Sequence, residues 1–111
     1  MKYKLKTIES FDRELKALSK KHSSLKADYA ALLDILEQHP QTGTAIGKDC
    51  YKIRLSIRSK GKGKSGGARI ITCVKIIQST VYLLSIYDKA DLENISDAQL
   101  KSWLNEISKA L

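Results

Sequence analysis

Between Tyr51 and Arg58 the chain alternates one for one, with Tyr51, Ile53, Leu55 and Ile57 set against Lys52, Arg54, Ser56 and Arg58. Period two is the signature of a half-buried strand. It places the apolar set on one face and Lys52, Arg54 and Arg58 on the other. Whatever this chain folds into must cover the first face and tolerate a dense row of cations on the second.

Upstream the period is 3.6. Residues 1–7 alternate as a short strand, and Ser10 then reads as a helix N-cap, with Asp12 and Glu14 suited to the positive helix end. Phe11, Leu15 and Leu18 form one stripe, closed by Lys20, Lys21 and His22. Ser23 or Ser24 caps a second helix with the stripe Leu25, Tyr29, Leu32, Leu33 and Leu36. His39–Pro40 ends it, because the residue before proline is pushed out of helical geometry. A loop with Gly43 and Gly47 follows. After the alternating strand, residues 59–67 (SKGKGKSGG) are loop, since such composition suits no element interior. Ala68 to Ile77 is a β-branched run and hence a central strand. Gln78–Ser79 turns the chain into a last strand, Thr80 to Tyr87. Ser96 and Gln99 make a capping box, with Ile95 and Leu100 as hydrophobic staple, for a final helix striped by Leu100, Trp103, Leu104, Ile107 and Leu111. The order β-α-α-β-β-β-α predicts an α+β fold, a mostly antiparallel sheet with helices on one face. A length of 111 residues predicts one domain, 1–111.

The net charge is +8, and its location matters more than its size. Residues 48–75 hold nine cations, Lys48, Lys52, Arg54, Arg58, Lys60, Lys62, Lys64, Arg69 and Lys75, against Asp49 alone. The rest of the chain is balanced. Charge concentrated in a quarter of the sequence predicts a polyanion site, most simply a phosphate backbone. The longest apolar runs, such as Val81 to Leu84, are far short of the roughly 20 residues of a membrane span, so no membrane role is expected. No apolar N-terminal stretch reads as a secretory signal. The two cysteines, Cys50 and Cys73, lack the spacing of a disulfide framework or zinc site and read as small buried residues in a reduced, cytoplasmic setting. His22 and His39 have no triad partners, no carboxylates pair as a metal site, and Trp103 reads as core. Gly63–Lys64–Ser65 copies the end of an ATPase phosphate loop. That motif needs a glycine five positions before Gly63, where Arg58 stands, and it opens a helix rather than a strand.

Parity also aligns Arg69, Ile71, Cys73 and Lys75 on the next strand, and Ser85, Tyr87 and the following Lys89 on the last. If these sets converge with Lys52 and Arg54, the open face becomes a cationic groove with one phenol. Metal-independent RNA cleavage uses the 2′-hydroxyl as nucleophile. It needs a proton acceptor, an anion stabiliser and a proton donor, roles open to lysine, arginine and tyrosine.

The string DCYKIRLSIRSKGKGKSGGARIITCV, followed by VYLLSIYDKADLENISDAQL, resembles the RelE/ParE toxin superfamily over about residues 48 to 104. It is most similar to the RelE/HigB-like branch with a KGKGKxGG loop. The resemblance implies the toxin of a type II toxin–antitoxin pair, a metal-independent mRNA interferase that cuts mRNA in the ribosomal A site without a cofactor. Its implied partners are a cognate antitoxin, the ribosome and mRNA. Family catalytic positions fall on Lys52, Arg54, Arg69 and Lys89, and the RNA-contacting loop lysines on Lys60, Lys62 and Lys64. Arg58 and Lys75 join the RNA-binding set by charge and parity. The family tyrosine near the start of the last helix is replaced by Ile95, and Tyr87 is the nearby phenol that substitutes. Two other readings stand beside this one: a non-catalytic ParE-like poison of DNA gyrase, and a plain basic RNA- or ribosome-binding module.

Overall fold

In the computed structural model, which describes residues 2–60, 66–91 and 95–110, the elements are β1 (Lys4–Thr7), α1 (Glu9–Lys21), α2 (Leu25–Gln38), β2 (Thr44–Gly47), β3 (Cys50–Leu55), β4 (Ala68–Lys75), β5 (Thr80–Asp88) and α3 (Asp97–Ala110). Short 3-10 turns cover Arg58–Lys60 and Lys89–Asp91. The five strands form one sheet in the order β1-β5-β4-β3-β2. β1 runs parallel to β5, and every other pair is antiparallel.

The α+β class and the mostly antiparallel sheet are as expected. The structure adds β2, an edge strand where the sequence reads as loop. Its four residues are largely exposed and Gly47 closes it, so neither length nor alternation marks it as a strand. It reverses into β3 through Gly47, Lys48 and Asp49, all at positive φ (92°, 55° and 63°). The chain turns there in a tight left-handed path that non-glycine residues adopt only under strain.

The first helix starts two residues earlier than expected, at Glu9 with Ile8 as its N-cap residue, and Ser10 is not its cap. The Ser10 hydroxyl donates instead to the Leu84 carbonyl of β5 (3.3 Å), because the chain leaves β1 directly into α1 alongside β5. Ser24 is the N-cap residue of α2, but its hydroxyl is engaged with Asp28 and Ser59. The cap of α3 is as predicted, with the Gln99 N–H donating to Ser96 Oγ (3.1 Å). β4 stops at Lys75, and the turn to β5 spans residues 76–79.

Phe11, Leu18, Leu25, Leu32 and Leu36 of the first two helices join Ile53, Leu55, Ile70 and Ile86 in one core. β4 is buried at every position but Lys75, and β5 at every position but Asp88, so the middle of the sheet is covered on both faces. The picture of helices on one face is therefore refined by α3. Ile95 and Asp97, with Leu100 of α3, line a cavity of ≈140 Å³ together with Ile46 and Lys52. Lys52 stands opposite Ile71, which is fully buried, so this half of the cationic face carries an apolar residue that needs a wall. Leu100, Trp103 and Ile107, the apolar stripe of α3, are buried in the same core. Among the described residues no helix is long and apolar enough to cross a membrane.

Candidate nucleic-acid interface

The registers of the three central strands decide which cations meet. Arg54 of β3 is opposite Arg69 of β4, and Arg69 is opposite Tyr87 of β5. Paired residues project from the same face, so Arg54, Arg69 and Tyr87 form one row across about 10 Å of sheet. The hydrogen-bond phase sharpens this. The Val74 N–H donates to the Asp49 carbonyl (2.9 Å), which makes 49/74 a hydrogen-bonded pair. Alternation then makes 54/69 a non-hydrogen-bonded pair, the close kind, with Cα atoms about 4.5 Å apart. Two like charges directly opposite oppose folding by roughly 0.2–1 kcal/mol. Directly opposed arginines concentrate positive charge at one point of this face.

Tyr87 is mostly buried, and its hydroxyl has no hydrogen-bond partner among the described residues. Burial pushes the phenol up and the Arg69 charge draws it part of the way back, leaving it above the ordinary tyrosine range. It stays a neutral O–H donor at physiological pH. Arg69 is 6% exposed, and its Nη1 donates to the Ala68 carbonyl (3.1 Å). Arg54 is exposed at the β3 end of the row. Lys52 sits one same-face position along, in line with Ile71 and Ser85. Lys89 is exposed just past β5, where its N–H donates to the Gly67 carbonyl (3.1 Å). Lys52, Arg54, Arg69 and Tyr87 thus share a face, and Lys89 lies at its end. Ile95 lines the cavity beside Lys52.

The other predicted RNA contacts are placed differently. Lys75 is six residues along β4 from Arg69, about 20 Å away. It borders a separate groove of ≈400 Å³ formed with Asp49, Val74, Ile76, Ile77 and Gln78. Arg58 is turned to α2, where its backbone N–H and Nε donate to the two oxygens of Asp28 (3.1 and 2.7 Å). Lys60 donates to both oxygens of Asp88 (3.1 and 2.9 Å) and is largely buried. Lys62 and Lys64 lie outside the described residues.

Asp88 is the residue that sequence reasoning missed. It accepts from Lys60 and from the Ala90 N–H (3.0 Å), with His22 Nε2 at 3.4 Å. It therefore ties the start of the basic loop to the end of β5, while Lys89 and Gly67 tie its other limb. The available signal was a lone carboxylate ending an apolar strand. Burial alone raises Asp88, but Ala90, Lys60 and His22 outweigh it and hold the carboxyl below the ordinary aspartate range. Asp28 behaves alike, with burial outweighed by Ser24 and Arg58. A carboxyl depressed by folding adds stability above its unfolded pKa of about 3.9, and that stability is lost as pH falls through the folded value. Acid unfolding followed by circular dichroism should thus begin only below about pH 4. Asp88→Asn should flatten that limb and cost roughly 3 kcal/mol in urea titrations at neutral pH, because it leaves Lys60 buried and unpaired. The double change Lys60→Met, Asp88→Leu should recover most of the loss.

An α+β fold with a five-stranded, mostly antiparallel sheet thus brings Arg54, Arg69 and Tyr87 together on one sheet face. The chain belongs to the RelE toxin family of RelE/RelB toxin–antitoxin systems, whose model matches residues 8–111. Solved structures agree on the fold. The isolated RelE toxin of Escherichia coli is 21% identical, with a TM-score of 0.58 over 98% of this chain and 99% of that one. An arginine-substituted E. coli RelE bound to a peptide of the antitoxin RelB is 23% identical, with a TM-score of 0.57 over 92% of this chain and 93% of that one. The RelBE2 toxin–antitoxin complex of Mycobacterium tuberculosis gives 16% identity and a TM-score of 0.58 over 82% of this chain and 95% of that one.

Proposed function

We propose that this toxin is a ribosome-dependent, metal-independent mRNA endonuclease that inhibits translation. The observation that carries the reading is the row Arg54–Arg69–Tyr87. The scissile phosphate lies over the two guanidinium groups. Lys52 or Lys89, flanking the row, accepts the 2′-hydroxyl proton through the fraction of its amine that is neutral. The 2′-oxygen attacks phosphorus, and Arg54 and Arg69 stabilise the charge that builds on the phosphoryl oxygens. The neutral Tyr87 phenol donates to the departing 5′-oxygen. Lys62 and Lys64 position the message. A gyrase-poisoning role would need no such pair of opposed cations, since a protein target does not demand two charges at one point. The expected partner in the cell is an acidic or amphipathic antitoxin segment that neutralises this face in the cytoplasm.

Primer extension on a defined mRNA tests the proposal in a reconstituted translation reaction, with a lane lacking ribosomes. Cuts within codons only when ribosomes are present are the expected result. An uncut message with translation still running sinks the nuclease reading, and cuts without ribosomes reassign it to a free ribonuclease. In RNA-binding titrations, Lys52→Ala and Arg54→Ala should each lower the salt slope by about one ion.

A further inference from the structure

The only two cysteines of the chain are each other's cross-strand neighbours. Cys50 at the start of β3 is opposite Cys73 of β4. The bond from Val74 N–H to the Asp49 carbonyl makes 50/73 a non-hydrogen-bonded pair, whose Cα atoms stand about 4.5 Å apart. That lies inside the range a disulfide spans. Both side chains project from the same face, and both thiols aim at one atom, the Lys48 carbonyl oxygen (3.4 Å from Cys50 Sγ, 4.0 Å from Cys73 Sγ). They are also within hydrogen-bonding reach of each other. The interaction between the two sulfurs pushes the Cys50 thiol up and holds Cys73 below the ordinary thiol range.

Both sulfurs are buried in a reduced pair. The carbonyl they share belongs to the Lys48–Asp49 reversal, two non-glycine residues at φ 55° and 63°. Strained turns at the edge of a sheet open more readily than the strands behind them. Opening this one would withdraw the Lys48 carbonyl from both sulfurs.

We propose that Cys50 and Cys73 form a reversible intramolecular disulfide when the protein meets an oxidised low-molecular-weight disulfide of the glutathione class. The Cys73 thiolate attacks that disulfide and releases one small thiolate, giving a mixed disulfide. The Cys50 thiolate then attacks the Cys73 sulfur and releases the second. One protein S–S bond forms, one small-molecule S–S bond breaks, and the two thiol protons end on the two released thiols. The protein is oxidised by two electrons and the small disulfide is reduced by two. Inside cells such bonds are transient and redox-sensing rather than permanent.

Position gives the bond its consequence. The ring closed between Cys50 and Cys73 contains Lys52, Arg54, Arg58, Lys60, Lys62, Lys64 and Arg69, seven of the nine clustered cations. The bond would pin β3 to β4 in the register that opposes Arg54 to Arg69, and it would restrict the unfolded chain across a 22-residue loop. The oxidised toxin should therefore outlast the reduced one.

The test uses the full chain, incubated with excess oxidised glutathione, alkylated and weighed intact. The expected product is a monomer lighter by two hydrogens, closed to alkylation, that yields a Cys50–Cys73 cross-linked peptide. Its urea midpoint should rise and return after dithiothreitol. Cys50→Ala and Cys73→Ala should show no such rise. Full alkylation of both thiols, a stable glutathione adduct, or a disulfide-linked dimer as the main product would each overturn the proposal. The wild-type mass decides the matter even if a variant folds poorly.

Discussion

Arg69→Ala is expected to abolish mRNA cleavage while sparing most of the affinity for RNA. Removing one preorganised donor to a developing oxyanion costs about 10²–10³ in rate. Removing one phosphate contact costs a modest, salt-dependent share of binding. Arg69 stands at the centre of the row, between Arg54 and Tyr87, so its loss separates the anion site from the phenol. Stability should fall as well, since Arg69 is buried and donates to the Ala68 carbonyl, with partial relief from removing like charges directly opposite one another. The measurement is single-turnover cleavage on programmed ribosomes beside equilibrium RNA binding, with circular dichroism to confirm the fold. Cleavage within about threefold of wild type would remove Arg69 from the chemistry. A parallel fall in binding and cleavage would leave a plain phosphate contact. Arg69→Lys keeps the charge but loses the planar fork, and it should fall between the two.

Gly67→Ala should cost about 3 kcal/mol or more and lower activity with it. The obstacle is space. A Cβ at residue 67 would land on the Leu55 carbonyl oxygen, with the Leu55 carbonyl carbon at 3.1 Å and the Ile57 nitrogen at 3.2 Å. All three are backbone atoms, so nothing flexible yields. The strands would have to part where the Gly67 carbonyl accepts from Lys89 and where the Arg54–Arg69 register begins. Gly47→Ala is the contrast. Nothing stands within 4 Å there, but φ is +92°, and the cost should be closer to 1 kcal/mol. Urea midpoints of the two variants check this. Equal, small shifts would mean that the β3–β4 junction is softer than its packing implies.

The elements legible in the sequence were those whose patterns are local. The stripes of Phe11 to Leu36, the alternation of 51–58 and the Ser96–Gln99 cap each report on their own segment, and the structure has them. The short edge strand β2 was hidden because four mostly exposed residues carry no periodicity. Ser10 looked like a cap because cap chemistry and a hydroxyl bound to a neighbouring strand look alike in one dimension. Parity selected the residues of the cationic face, but parity alone does not say who stands opposite whom. The Arg54–Arg69–Tyr87 row and the Cys50–Cys73 pair depend on register, which turns and bulges set over long distances. Charge counts likewise counted Lys60 and Arg58 as free cations. Their carboxylates, Asp88 and Asp28, are 28 and 30 residues away in the chain.

The parallel pairing of β1 with β5 brings Lys4 beside Thr80, so the first strand made is held by the last. Long-range parallel pairing is among the slower events in folding. A ribosome making this chain extrudes the cations of β3 and β4 before it has built Tyr87, and β1 waits unpaired through most of that time. The row Arg54–Arg69–Tyr87 is completed only when β5 arrives. No incomplete product of synthesis that lacks β5 can therefore carry the assembled row, whatever the state of the strands already made.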